Sequence, residues 1–194
     1  NGLTVISIAI GQGEVTATPL QIANLAATVA NRGYYVVPHV VRAVQDGKLD
    51  PIYYEKKYTG VDRRWYEYAA AGMRKAVLDG TCRGANLPGY EVCGKTGTAM
   101  IAKNGSYKGA PNHLLSFAGW FGEKDKPYYS CIVCIQKQGL PAYGWMSGQV
   151  FKDIAEGIMA KYVRYDISDA RDSTSHPIPD VKNGNIFSAQ RVLS

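Results

Sequence analysis

The order of residues predicts an α+β fold in which an antiparallel sheet of three strands packs with helices. Three strand-like runs, Tyr90–Ile101, Leu114–Phe121 and Tyr128–Gln136, follow one another. Polar turns separate them: Lys103-Asn104-Gly105 with the loop after it, then Gly122-Glu123-Lys124-Asp125-Lys126-Pro127. Runs and turns in that order make an antiparallel meander. Two helical patterns precede the meander and one follows it, so helices can cover the sheet as a second layer.

The elements follow from local signals. Leu3–Ile10 is largely apolar and is expected to be strand-like or buried. Thr18-Pro19 supplies an N-cap and a proline at the first helical position. Leu20, Ala23, Ala27 and Ala30 are expected to share a face, and Gly33 closes the helix. Tyr34–Val44 is extended, Pro38 argues against a central strand, and Asp46-Gly47 turns the chain. A second helix is expected over Asp62–Leu78, ending at Asp79-Gly80. After the meander, Ser147 is the expected N-cap of a helix whose apolar face holds Val150, Phe151, Ile154, Ile158 and Met159. From Asp166 onward the chain is polar and linker-like, which divides it into 1–165 and 166–194.

With 194 residues, 46% of them hydrophobic, the chain can bury the core of one domain. Its net charge of +6 suits an anionic substrate or an anionic polymer surface. It lacks the Lys/Arg runs that mark nucleic-acid binding, so no nucleic-acid partner is expected. No apolar run is long enough to cross a bilayer, and Asn1-Gly2-Leu3 is neither an initiator Met nor a signal peptide. The chain is therefore expected to be part of something longer. Cys131 and Cys134 have C-x-x-C spacing, but odd spacing on a strand sends them to opposite faces, so no metal site or cofactor is expected. Buried apolar thiols are the default for the cysteines. A Cys82–Cys93 disulfide is open in an oxidising compartment.

Gly94-Lys95-Thr96-Gly97-Thr98 satisfies two unrelated motifs. With Gly89 it fits the phosphate-cradling G-x-x-x-x-G-K-[ST], and from Lys95 onward it is the K-T-G box of penicillin-recognising enzymes. A phosphate loop needs a buried strand before its first glycine and a helix from the Lys-Thr. The turn-like Arg83–Pro88 and the β-favouring Thr96–Ala102 oppose both requirements. The box is therefore read on a strand. Strict alternation places Lys95 and Gly97 on one face with Thr96 and Thr98 on the other, so these side chains can converge only at a strand edge.

Further segments match in order. Gly11-Gln12-Gly13, Thr16–Ala23 and Ala30-Asn31-Arg32-Gly33 come first, then the box, then Ser116–Phe121 and Val150–Ala155. Residues 3 to 163 thereby resemble the C-terminal part of the transpeptidase domain of high-molecular-mass, class B penicillin-binding proteins. Ile178-Pro179-Asp180-Val181 is similar to the start of a PASTA repeat. The resemblance implies part of a peptidoglycan D,D-transpeptidase, acting through an acyl-serine on stem peptides ending in D-Ala-D-Ala and binding β-lactams. It also implies other cell-wall synthesis partners and a parent held by one membrane helix, with this region periplasmic or at the cell surface. Lys95 and Thr98 would be catalytic, with Lys95, Thr96, Gly97 and Thr98 binding substrate. An anionic carboxylate calls for such a fixed cation with hydroxyl donors, the Thr98 N–H would be an oxyanion donor, and Gly97 would leave room for close approach.

The family's Ser-x-x-Lys and Ser-x-Asn motifs do not occur in the 194 residues. Both are expected upstream of Asn1, and the chain alone is expected to be inactive. A penicillin-recognising sensor, a β-lactamase-like domain and a non-catalytic interaction module remain the alternatives. In the family fold the run Tyr128–Gln136 pairs with a strand from that upstream region. Its apolar edge, Cys131-Ile132-Val133-Cys134-Ile135, carries no charge or proline, so a homo-oligomer joined there or by exchange of a terminal segment is expected.

Overall fold

A computed structural model describes residues 2–11, 15–43, 47–101 and 112–166. Residues 1–160 form one compact unit and 161–194 a second; the sheet and its packing belong to the first. In chain order the elements are α1 (Gly2–Ala9), α2 (Pro19–Ala30), β1 (Tyr34–Tyr35), β2 (Lys57–Tyr58), α3 (Arg63–Leu78), β3 (Glu91–Ile101), β4 (Asn112–Glu123), β5 (Lys126–Gln138) and α4 (Trp145–Asp166). The Lys103-Asn104-Gly105 turn, Asp46 and the residues resembling a PASTA repeat lie outside the described residues.

The helix signal at Thr18 acts as expected. Gln21 donates its backbone N–H to Thr18 Oγ1 at 3.3 Å, and Thr18 returns its own N–H to Gln21 Oε1 at 2.8 Å. This closes a capping box at the start of α2. Gly33, at φ +110°, ends the turn after α2, and a Cβ there would lie 2.9 Å from the Tyr66 ring. Asp62 accepts the Arg64 N–H at 2.9 Å and opens α3, which runs to Leu78.

Four expectations are corrected. The run Leu3–Ile10 is not a strand: α1 is a helix, and Val5, Ile6, Ile8 and Ile10 are all exposed. No strand among the described residues pairs with it, and a helix satisfies its own N–H and C=O groups where a lone strand cannot. On α2, Leu20 is exposed while Ala26, Thr28 and Ala30 are buried. Small side chains make the close contact, and Leu20 borders an open groove with Val36, Pro38 and Ser130. Ser147 is not an N-cap. Helix α4 begins at Trp145, so Ser147 lies buried in its first turn and donates to the Gly144 carbonyl at 2.8 Å. On α4, Phe151, Ala155 and Met159 are buried, whereas Val150 and Ile154 are exposed.

The sheet has the expected order, β3-β4-β5, antiparallel throughout. Strands β4 and β5 are longer than the sequence suggests, because Gly122, Glu123, Lys126 and Pro127 join the ladder instead of the turn. Only Lys124 and Asp125 connect them, and Asp125 takes φ +60°. Pro127 is tolerated because β5 is an edge strand and the register shifts at Phe121/Gly122.

Helices cover both faces. Cys93 and Trp120, opposite each other on β3 and β4, form a buried cluster with Ala30 of α2 and Ala70 of α3. On the other face Phe117 and Phe121 meet Phe151 of α4, with ring centroids 4.5 Å and 5.7 Å away. Full burial of a large apolar side chain stabilises the fold by about 1.5–3 kcal/mol. These aromatics therefore fix α4 against the sheet. At the start of β3, Arg74 donates from α3 to the Val92 carbonyl at 2.8 Å.

Candidate active site

The box Gly94-Lys95-Thr96-Gly97-Thr98 lies in the middle of β3, an edge of the sheet. Lys95 and Thr96 are thus strand residues rather than the first turn of a helix, and the phosphate-loop alternative has no structural basis here. At this edge Lys95 reaches Thr96 although the two alternate in face. Lys95 shares a face with Cys93, and Thr96 shares one with Phe117, its cross-strand partner. The Lys95 amine bends over the edge to donate to the Thr96 carbonyl at 3.0 Å and to Thr96 Oγ1 at 3.3 Å. Lys95 and Thr98 are exposed, and Thr96 is half-buried.

Glycines hold this strand close to its neighbours. Gly94 faces Gly119 across the ladder. A Cβ at Gly94 would fall 2.4 Å from the Phe117 ring, and one at Gly119 would fall 2.2 Å from the Cys93 carbonyl. Gly97 faces Ser116, whose hydroxyl fills the space a Cβ would need, 2.5 Å away.

Residues that spacing does not reveal converge on Thr96. Thr81 Oγ1 lies 3.1 Å and Cys82 Sγ 3.8 Å from Thr96 Oγ1, both from the turn after α3. Gly144, just before α4, fits so closely that a Cβ would lie 2.9 Å from Thr96 Cβ. Three chain segments far apart in sequence meet at one hydroxyl, and no local pattern announces it.

All four cysteines are free thiols, so the Cys82–Cys93 pairing is not formed. Cys93 packs against Trp120 and Ala30, where burial pushes its pKa up to about 12. Cys82 is buried beside Thr81 and Thr96. Cys134 is exposed, unlike the default for a thiol. Beyond the sheet, the guanidinium of Arg32 donates to Glu67 at 2.8 Å and holds its carboxyl below the usual range.

Residues 3–156 match the family model described as penicillin binding protein transpeptidase domain. The chain belongs to that family. Among curated relatives, the peptidoglycan D,D-transpeptidase MrdA of Acinetobacter baumannii is 36% identical over 172 residues, covering 77% of this chain and 23% of the relative. Stage V sporulation protein D of Bacillus subtilis is 31% identical over 159 residues, 78% of this chain and 23% of its own length. The chain therefore spans about a quarter of these relatives. In three dimensions it resembles the crystal structure of PBPA from Mycobacterium tuberculosis, with a TM-score of 0.60 and 21% identity over 77% of this chain and 34% of that one. At that identity the likeness speaks for the fold, an α+β arrangement with the three-stranded antiparallel sheet packed by helices.

Proposed function

We propose that this region is the carboxylate-binding part of a peptidoglycan D,D-transpeptidase that cross-links stem peptides and is acylated by β-lactams. One observation carries the reading: the Lys95 ammonium is held over the edge of β3 by Thr96, on the strand that also carries the exposed Thr98. An extended peptide can pair along such an edge, and its terminal D-alanine carboxylate would meet Lys95 with Thr98, Thr96 anchoring the cation and Gly97 keeping the strand narrow.

In this scheme a serine from another part of the parent protein attacks the penultimate D-alanine carbonyl. Its proton passes to the departing D-alanine, leaving an acyl-serine ester. The amine of a second stem peptide then attacks the ester, forms the new amide and releases the serine. Lys95 supports the proton path by its charge, and the Thr98 N–H stabilises the oxyanion; one such donor is worth ~10²–10³ in rate. Without Ser-x-x-Lys, the 194-residue chain forms no acyl adduct by itself.

Fluorescent penicillin tests this. The chain alone is expected to remain unlabelled, and a longer product of the same gene carrying the serine motif is expected to label. Lys95→Ala in that product is expected to slow acylation by about two orders of magnitude or more. Stoichiometric labelling of the short chain would overturn its inactivity, and normal labelling of the Lys95→Ala product would remove Lys95 from the site.

The longer protein is proposed to be anchored by one membrane helix, with this domain outside the cytoplasm. Among the described residues no helix is long and apolar enough to cross a membrane. Residues 1–165 are proposed as the transpeptidase part and 166–194 as a linker running toward a PASTA-like repeat. Strand β5 has no neighbour on its outer side among the described residues. We propose that the isolated chain dimerises through this edge. Light scattering is expected to give twice the chain mass, and Val133→Pro is expected to abolish the association; a folded monomer at high micromolar concentration would refute it.

A further inference from the structure

The hydroxyl of Thr96 sits in a small closed circuit that the box motif does not contain. Its oxygen accepts from the Lys95 ammonium at 3.3 Å, and an ammonium can only donate. The Thr96 hydrogen must therefore point elsewhere, and Thr81 Oγ1 is the neighbour within reach, 3.1 Å away. Thr81 in turn has Cys82 Sγ at 3.6 Å to receive its own hydrogen, and the Cys82 thiol donates back to Thr96 Oγ1 at 3.8 Å. Every donor in the ring Thr96–Thr81–Cys82 then has an acceptor, all running one way round, and Lys95 feeds the ring from outside.

The ring is rigidly mounted. Cys82 is fully buried, its N–H donates to the Ala76 carbonyl at 3.1 Å, and Ala85 donates to the Cys82 carbonyl at 2.9 Å. Gly80 packs so tightly on α3 that a Cβ would lie 2.8 Å from the Ala76 backbone. Gly144 closes the opposite side of Thr96. The turn after α3 is thus fixed relative to β3 before any ligand arrives.

We propose that Thr81 is a positioning residue for Lys95: by taking the Thr96 hydrogen it keeps the Thr96 lone pair turned toward the ammonium, which holds the cation at the strand edge. The proposal rests on the carboxylate-binding reading of Lys95. It gives Thr96 an acceptor's part and leaves the direct hydroxyl contact with the carboxylate to Thr98. A Thr81 variant without a hydroxyl removes the acceptor, frees the Thr96 hydrogen to turn outward and releases the amine.

Two measurements test this. In the 194-residue chain, NMR of the Lys95 ε-methylene protons is expected to show two separate resonances, as for an amine held in one place. Thr81→Val is expected to merge them while Thr81→Ser keeps them apart. Thr81→Ala serves if the valine variant unfolds. Separate resonances persisting in the folded hydroxyl-free variant would overturn the proposal, as would merged resonances in the native chain.

In the longer product, acylation is compared for a penicillin and for its methyl ester, which lacks the anionic carboxylate. Thr81→Val is expected to slow the free acid on the order of tenfold, as befits a hydrogen bond supporting a charged group, and to slow the ester far less. Added to Thr96→Val it should cause no further loss. Equal losses on acid and ester would mean a merely structural residue. Absence of any labelling in the unmodified longer product would instead defeat the transpeptidase reading, and the NMR result alone would then decide the role of Thr81.

Discussion

Helix α1 and strand β4 are both rich in large apolar residues, yet they end in opposite environments. Leu115, Phe117 and Phe121 of β4 are wholly buried, whereas Val5 and Ile6 of α1 are 66% and 60% exposed. Residue for residue α1 is the more apolar of the two; what differs is company. Strand β4 is hydrogen-bonded on both sides, by β3 and β5, and helices cover both of its faces. In α1 the backbone is satisfied internally, so nothing compels its side chains to meet a second layer. An apolar run tells how much surface could be buried, while the partner decides whether it is.

Three substitutions sharpen the contrast. Phe117→Ala should have the largest effect, about 3–5 kcal/mol of lost stability, because it opens a cavity beneath Phe151. Urea unfolding measures it, and a loss below about 1 kcal/mol would show that α4 collapses into the gap. Gly119→Ala should come next, costing on the order of 1–3 kcal/mol or more, since its Cβ would press on the Cys93 carbonyl, a backbone atom with little freedom. Amide hydrogen exchange is expected to accelerate at Cys93 and Gly94 first. Ile6→Ser in α1 should have the smallest effect, within about 0.5 kcal/mol. A large drop in its unfolding midpoint would place α1 in the core after all.

Legibility in the sequence follows the same division. The start of α2 was readable because Thr18 and Pro19 act on backbone groups within three residues of themselves. Strand order was readable because short turns force neighbours to be antiparallel. The identity of α1 was not, since a short, mostly apolar run suits either a helix or a strand until a pairing partner is present or absent. Ser147 misled because serine caps helices often, but here Tyr143 and Gly144 bring the chain into α4 three residues sooner. At the site, Lys95, Thr96 and Thr98 could be singled out from the box and its flanking segments. The contacts of Thr81, Cys82 and Gly144 with Thr96 could not, because they span separations of 14 to 48 positions and depend on how α3 and α4 seat against β3.

The paired glycines Gly94 and Gly119 have a consequence for how this gene can vary. They let two backbones close together at one point, and the adjoining positions are occupied by the Phe117 ring and the Cys93 carbonyl. If β3 slid by one residue, Cys93 or Lys95 would have to place a side chain into that gap, and every face assignment would invert. The glycine pair therefore works as an alignment pin, setting where along the sheet the lysine stands. Substitutions flanking the box can be absorbed by repacking, but a single-codon insertion or deletion between Tyr90 and Lys95 cannot, so natural length variation should be excluded from that interval even where its spelling drifts.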